Sequence, residues 1–183
     1  MDAVAYALAM AVPALTGTFE ASVETAKTAL PATRREHGQG TLSDGTVLVT
    51  GGKVAGSASA DVQSYDPSTN AWTSKTAMPA TRYLNGQSTL SDGTVLVTAG
   101  LVGGSLISAT MESYDPATDA WTTKTALSAG LYWHDQSVLS DGTVLVTGGQ
   151  LSAGATADVK TYELGDPIGT TGRAALAGYL AAN

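Results

Sequence analysis

One eleven-residue stretch occurs three times along the chain, and it constrains the fold more than any other feature. The stretch is Leu42-Ser-Asp-Gly-Thr-Val-Leu-Val-Thr-Gly-Gly52. Near-copies follow at Leu90–Gly100, with Ala99 in place of one glycine, and at Leu139–Gly149. The copies begin 48 and 49 residues apart, and regular repetition at such a period indicates a repeat architecture. Each copy combines an Asp-Gly turn, in which glycine accepts the positive φ of a tight hairpin, with a β-branched run typical of a strand.

A second segment repeats with the same period. Thr25–Arg34 matches Thr73–Arg82 and Thr122–Leu131, and the third copy has Ser128 and Leu131 where the others have Pro and Arg. One copy of this segment therefore lies ahead of the first unit, and the third unit lacks one after it.

Four short strands are predicted in each unit. The first strands are His37–Leu42, Asn85–Leu90 and His134–Leu139; the second are Thr46–Thr50, Thr94–Thr98 and Thr143–Thr147; the third are Asp61–Tyr65, Met111–Tyr114 and Asp158–Tyr162; the fourth are Ala71–Met78 and Trp121–Leu127, with a spare copy at Ser22–Leu30. Strands this short at this spacing, in a chain with few helical stretches, indicate an all-β repeat fold.

These motifs resemble the kelch repeats of β-propellers. The resemblance rests on Gly51-Gly52, Gly148-Gly149, Tyr65 with Trp72, Tyr114 with Trp121, and Met78-Pro79 followed by Arg82. It covers residues 20–163 and implies four-stranded blades arranged radially around a channel, with the first strand of each blade innermost. The chain departs from the family pattern at Ala99, at Glu163-Leu164 and in having no Trp after Tyr162.

We therefore expect an all-β, kelch-type β-propeller fold with three four-stranded blades per chain and short helical or irregular tails at both ends. The expected segments are an apolar N-terminal tail at 1–17, an exchanged outer strand at 18–34, blades at 35–80, 81–129 and 130–164, and a C-terminal tail, expected to be helical, at 165–183.

Three blades raise a closure problem, because propeller rings contain about four to eight blades. An open arc would expose apolar blade faces and a sheet edge, which are association hazards. Two arcs placed head to tail give six blades, and Ser22–Leu30 of each chain would complete the third blade of its partner. We therefore expect a homo-oligomer, with a dimer favoured over a nine-bladed trimer. The alternative is that the chain is an excerpt of a longer protein.

Composition argues against several classes of partner. The net charge is −7 and the 9 basic residues form no cluster, which argues against nucleic acid and anionic membranes. The absence of cysteine excludes disulfides and thiolate metal sites, and no cofactor is indicated. The apolar run Ala3–Leu15 has no basic residue before it and is too short to span a bilayer, so neither a signal peptide nor a transmembrane segment is expected. The cellular compartment stays open.

Polar residues recur at the start of the innermost strands and are candidate ligand-binding residues. His37, Asn85 and His134 occupy equivalent positions, and Gln39, Gln87 and Gln136 follow two residues later on the same side. In a ring they would line the channel and could hold a polar ligand, an anion or a metal. The favoured alternative is that inner strands carry polar side chains because they face channel water. No carboxylate occurs at matching positions, so no metal site is predicted.

Tyr132 and Trp133 are further candidate binding residues, because Trp133 lies off the repeat pattern beside the lost Pro and Arg. The alternatives are a contact at the seam between chains and ordinary packing, and ordinary packing is favoured. Asp44, Asp92 and Asp141 recur identically, and their turns explain them without catalysis. The copper chemistry of galactose-oxidase-like propellers needs a Tyr–Cys cross-link, and this chain has no cysteine.

The sequence thus predicts a non-enzymatic structural or interaction protein. It would be a half-propeller that oligomerises into a ring and docks through its tails onto a larger assembly, such as a bacterial surface structure or a bacteriophage virion. The alternative function is a lectin-like propeller that binds a carbohydrate or another small ligand.

Overall fold

The computed structural model describes residues 24–163. Predictions for the tails at 1–17 and 165–183, for the first residues of the upstream strand and for Leu164 lie outside the described residues. Within residues 24–163, no helix is long and apolar enough to cross a membrane.

The described residues form three antiparallel blades, and the all-β, kelch-type fold is confirmed. Blade 1 contains β2 (Gly38–Thr41), β3 (Val47–Thr50), β6 (Val62–Asp66) and β7 (Ala71–Lys75); blade 2 contains β9 (Gly86–Thr89), β10 (Val95–Thr98), β13 (Met111–Asp115) and β14 (Ala120–Lys124); blade 3 contains β15 (Asp135–Val138), β16 (Val144–Thr147) and β19 (Val159–Tyr162). Strands pair in chain order within each blade. Blade 3 has three strands within the described residues, in agreement with the absence of a fourth-strand copy after Tyr162 in the sequence.

The innermost hairpin of each blade is fixed by its Asp-Gly turn. In blade 1, Gly45 has φ 86°, a conformation that glycine adopts without steric cost. The carboxylate of Asp44 accepts hydrogen bonds from the backbone N and the hydroxyl of Thr46, at 2.9 and 2.7 Å. The turn residues therefore serve the backbone, as the sequence indicates.

Small sheets lie beside the blades, and the sequence does not predict them. They contain β1 (Arg34–Arg35) with β4 (Lys53–Val54) and β5 (Ser57–Ala58), then β8 (Arg82–Tyr83) with β11 (Leu101–Val102) and β12 (Leu106–Ile107), and finally β17 (Gln150–Leu151) with β18 (Gly154–Ala155). The segments between second and third blade strands form hairpins, and in the first two units the segment entering the blade adds a third strand. Strands of two residues are too short for a periodic pattern to reveal them.

Two apolar clusters join the blades face to face. The cluster between blades 1 and 2 contains Leu42, Leu48, Val62, Met78, Val95, Val97 and Tyr114. The cluster between blades 2 and 3 contains Leu96, Ala99, Met111, Leu127, Leu131, Val144 and Val146. Residues of even and odd number in β10 fall in different clusters, because successive side chains of a strand point to opposite faces. Blade 2 is therefore buried on both faces.

The fourth strands end earlier than predicted, because the chain leaves them to reach the next blade. After β7 ends at Lys75, the backbone N of Thr76 donates to Asp119 Oδ1 at 2.9 Å. The carbonyl of Thr76 accepts from Trp121 Nε1, also at 2.9 Å. The linker thus crosses the outer edge of blade 2 before it enters that blade.

Candidate functional site

The polar residues of the innermost strands connect neighbouring blades. The hydroxyl of Thr50 donates to Gln87 Oε1 at 2.6 Å, and Gln87 Nε2 donates to the carbonyl of Leu48 at 3.2 Å. One blade further on, the hydroxyl of Thr98 donates to the side-chain oxygen of Gln136. Gln87 and Gln136 therefore hydrogen-bond to the preceding blade, and the exposed Gln39 has no described blade before it.

His134 belongs to the same contact and is buried. Its Nε2 lies 2.8 Å from the hydroxyl oxygen of Thr98. Because that hydroxyl donates to Gln136, His134 acts as the donor with its proton on Nε2. The Nε2–H group of His134 is then an N–H donor at the place where blade 2 has the side-chain amide of Asn85.

Burial controls the protonation of both histidines. Desolvation lowers the pKa of His134 from 6.5 to about 4, against a smaller opposing effect of Asp135. Burial also lowers the pKa of His37, with a further contribution from Arg34. Three equivalent atoms, His37 Nδ1, Asn85 Oδ1 and His134 Nδ1, are buried without a hydrogen-bond partner among residues 24–163. Both imidazoles are therefore suited to packing in the neutral form.

Two glycines make room for these side chains. A Cβ on Gly38 would lie 2.7 Å from Asn85 Nδ2, and one on Gly86 would lie 2.6 Å from His134 Nε2. The equivalent residue of blade 3 is Asp135, which is exposed. The side of blade 3 away from blade 2 therefore differs from the two internal contacts at this position.

The recurrent aspartates offer no catalytic arrangement. Hydrogen bonds from Thr46 hold the pKa of Asp44 below its usual value, and bonds from Thr143 do the same for Asp141. Asp92 bonds to Thr94 in the same way. Within residues 24–163, no three His, Cys, Asp or Glu side chains are grouped as a metal site would require. The three carboxylates therefore stabilise their turns.

Tyr132 and Trp133 form an aromatic pair that reaches solvent. Their ring centroids are 5.3 Å apart, and Trp133 is 63% exposed. The backbone of Trp133 has φ 56°, like Leu84 and Glu36 at the equivalent positions, and its N donates to the carbonyl of Leu84 at 3.2 Å. The exposed ring therefore sits on a backbone held against blade 2.

Sequence analysis missed the role of two arginines. Arg82 is fully buried, and its guanidinium binds the carbonyls of Ala99 and Thr110, the hydroxyl of Thr110 at 2.7 Å and Glu112 Oε2 at 3.2 Å. Burial lowers the pKa of Arg82 and Glu112 opposes that effect. A signal was present in the sequence, because Glu112 interrupts an otherwise apolar and hydroxylic third strand.

Arg34 repeats this arrangement in blade 1. Its guanidinium binds the carbonyl of Gly51, the carbonyl of Asp61 at 3.3 Å and Asp61 Oδ2 at 3.4 Å. The carboxylate of Asp61 is 57% exposed, whereas that of Glu112 is 7% exposed. The guanidinium groups of Arg34 and Arg82 thus bind equivalent backbone carbonyls in two blades, but the carboxylate beside Arg34 is far more exposed to solvent.

The described geometry, antiparallel blades packed face to face with the polar strand innermost, is that of β-propeller blades. The Kelch motif family model matches residues 40–79, from β2 to the start of the linker into blade 2. No curated protein matches the chain. Kelch motifs are typical of protein-interaction propellers, and proteins with these repeats generally act as non-enzymatic scaffolds.

Proposed function

We propose that this chain is a non-enzymatic interaction protein that closes into a six-bladed ring with a second copy and docks onto a larger assembly. The observation that carries the proposal is the position of Thr28 at the outer edge of blade 1. Its N donates to Asn70 Oδ1 and its carbonyl accepts from Trp72 Nε1, both at 2.9 Å. Thr76 makes the same two bonds to blade 2 when it arrives from blade 1.

The upstream segment therefore crosses the outer edge of blade 1 in the same way as the linker from blade 1 crosses the outer edge of blade 2. Residues 24–30 form no strand within the described chain, because a strand needs an edge to pair with. Blade 3 has such an edge at β19, where Val159 is 62% exposed. We infer that Thr25–Lys27 of one copy pairs with β19 of the other.

The pairing register follows from the two complete blades. Thr73 lies opposite Ser64 in blade 1, and Thr122 lies opposite Ser113 in blade 2. By repeat equivalence, Thr25 of one copy lies opposite Thr161 of the other. The same equivalence pairs Lys27 with Val159.

Backbone groups on the open face of blade 3 match the upstream segment as well. At the first internal contact, Met78 N donates to the carbonyl of Ala60 and Arg82 N to that of Ser59, both at 2.9 Å, and Gly52 N donates to the carbonyl of Arg82 at 2.7 Å.

The second internal contact repeats all three bonds with Leu127 and Leu131. The blade 3 counterparts are Ala157, Thr156 and Gly149, which would bind Leu30 and Arg34 of a second copy.

Asp135 gives the intermolecular contact its own chemistry. Internal contacts have glycine there, against the donor nitrogen of Asn85 or His134. In the ring, Asp135 meets His37 and Gln39 of the second copy, so those two side chains adopt other rotamers. The contact then pairs a carboxylate with an imidazole, which makes it distinct from the contacts within one chain.

The mass of the full chain in solution tests this proposal. Light scattering should give twice the mass of one chain. Leu30→Glu should return it to one, because Met78 and Leu127 are buried at the equivalent places whereas Leu30 is half-buried in the single chain. Leu106→Glu is the matched control, since Leu106 is 69% exposed and lies away from this contact. A monomeric full chain would refute ring closure.

The exposed pair Tyr132 and Trp133 favours a second candidate function, binding of a carbohydrate. Sugar rings stack on exposed aromatic faces, and such rings are energetically important contacts. A glycan array with the wild type should then give binding that Trp133→Ala abolishes. Binding that survives this substitution would count against the aromatic pair.

A further inference from the structure

Blade 3 lacks the arginine that blades 1 and 2 bury, because Leu131 takes its place. A Cβ on Gly52 would lie 3.1 Å from Arg34 Cγ, and one on Gly149 would lie 3.0 Å from Leu131 Cδ1. Leu131 therefore occupies only the space that the first side-chain carbons of the arginine fill in blade 1. Beyond it lies a small cavity of about 20 Å³ that opens to solvent. Its lining includes Leu131, Gly148, Thr156, Asp158 and Lys160.

The groups that bind the guanidinium in the other blades are present in this pocket. Gly148 has φ 59° and Gly51 has φ 61°, and each donates from N to the carbonyl of the residue before the third strand at 2.9 Å. The carbonyls of Gly148 and Asp158 are therefore oriented like those of Gly51 and Asp61. Within residues 24–163, no side chain donates to the Gly148 carbonyl as Arg34 donates to that of Gly51.

We propose that this pocket is a binding site for a monoalkylguanidinium group, either an arginine side chain or a free alkylguanidine. The planar guanidinium would donate to the carbonyls of Gly148 and Asp158 and to the Asp158 carboxylate. Those contacts match the ones that Arg34 makes in blade 1. A guanidinium presents several N–H donors in one plane, whereas an ammonium is a compact charge that cannot bridge the same acceptors.

Lys160 sets the strength of this site. It occupies the place of Glu112 in blade 2, its Nζ lies 3.3 Å from Asp158 Oδ2, and its side chain is 47% exposed. The lysine therefore competes for the carboxylate and repels the guanidinium, but it can turn into solvent when the ligand enters. The pocket faces blade 2, so the inference does not depend on ring closure.

Titration of the full chain with methylguanidinium, followed by the amide signals of Gly149 and Asp158, tests the site. A saturable shift with a dissociation constant on the order of 1 mM is expected from a few charge-assisted hydrogen bonds partly offset by association entropy. Methylammonium at the same ionic strength should give no saturable shift. Lys160→Glu should tighten binding about tenfold, because it restores the acceptor of blade 2. Leu131→Arg should abolish binding by filling the pocket.

The outcomes separate the possible sources of the group. Arg173 of this chain lies outside the described residues. If it supplies the guanidinium, Arg173→Gln should move the Gly149 and Asp158 signals without ligand and strengthen methylguanidinium binding. Unchanged signals would assign the site to a guanidinium from another molecule. Absence of a saturable shift in the wild type, in Lys160→Glu and in Arg173→Gln would overturn the proposal.

Discussion

Replacing Arg82 by leucine should destabilise the protein far more than the same change at Arg34. Both side chains are buried and both bind two backbone carbonyls, so these losses are shared. The difference lies in the carboxylate left behind. Glu112 is 7% exposed and would become an unpaired buried charge, whereas Asp61 at 57% exposure would return to water.

The expected magnitudes follow from that difference. Breaking a buried ion pair by removing one partner costs about 3–5 kcal/mol, so Arg82→Leu should lower the free energy of unfolding by roughly that amount. Arg34→Leu should cost about 1–2 kcal/mol, because it loses hydrogen bonds without stranding a charge. Equilibrium urea denaturation at pH 7 measures both values by linear extrapolation.

A double variant isolates the effect of the charge. Glu112→Leu in the Arg82→Leu background should recover part of the loss, because it removes the stranded carboxylate. Equal costs for Arg82→Leu and Arg34→Leu would refute the reasoning.

Further perturbations test the contacts between blades. Burial lowers the pKa of His134 in the folded state to about 4, below the ordinary value of 6.5, so the contribution of this histidine to stability is full above pH 6.5. That contribution is lost as the pH falls toward 4, by up to about 3 kcal/mol. Denaturation at a series of pH values should show this loss, and His134→Asn should reduce it. Gly86→Ala should cost about 1–3 kcal/mol, because its Cβ would meet His134 Nε2 at 2.6 Å. Asp135→Ala at the equivalent, exposed place of blade 3 should stay within about 0.5 kcal/mol under monomeric conditions. Asp135→Gly should strengthen dimerisation in analytical ultracentrifugation, because it restores the glycine of the internal contacts.

The blade strands could be predicted because their signals are local. The run Val47–Thr50 and the Asp-Gly turn before it fix the innermost hairpin without help from distant residues. The Tyr and Trp of each complete blade pair across neighbouring strands, with ring centroids 5.0 Å apart for Tyr65 and Trp72. Such spacing is visible in the sequence.

The remaining features depend on contacts between distant segments. The hairpin at Lys53–Ala58 gains its third strand from Arg34–Arg35, and no local sequence pattern predicts this pairing. The predicted position of Gln87 and His134 on inner strands identifies their element but not their partners, because the bonds to Thr50 and Thr98 come from the preceding blade. The candidate ligand-binding role of these residues stays a prediction.

Intermolecular disulfide formation tests the exchanged strand most directly. The chain contains no cysteine, so Thr25→Cys and Thr161→Cys can be made separately and mixed. Residues directly opposite on antiparallel strands have Cβ atoms about 4.5–5.5 Å apart, close to the range that a disulfide requires. Ala26→Cys mixed with Thr161→Cys is the control, because successive residues point to opposite faces. The account predicts a disulfide-linked heterodimer from the first mixture only. A first mixture that yields no more of this product than the control would contradict it.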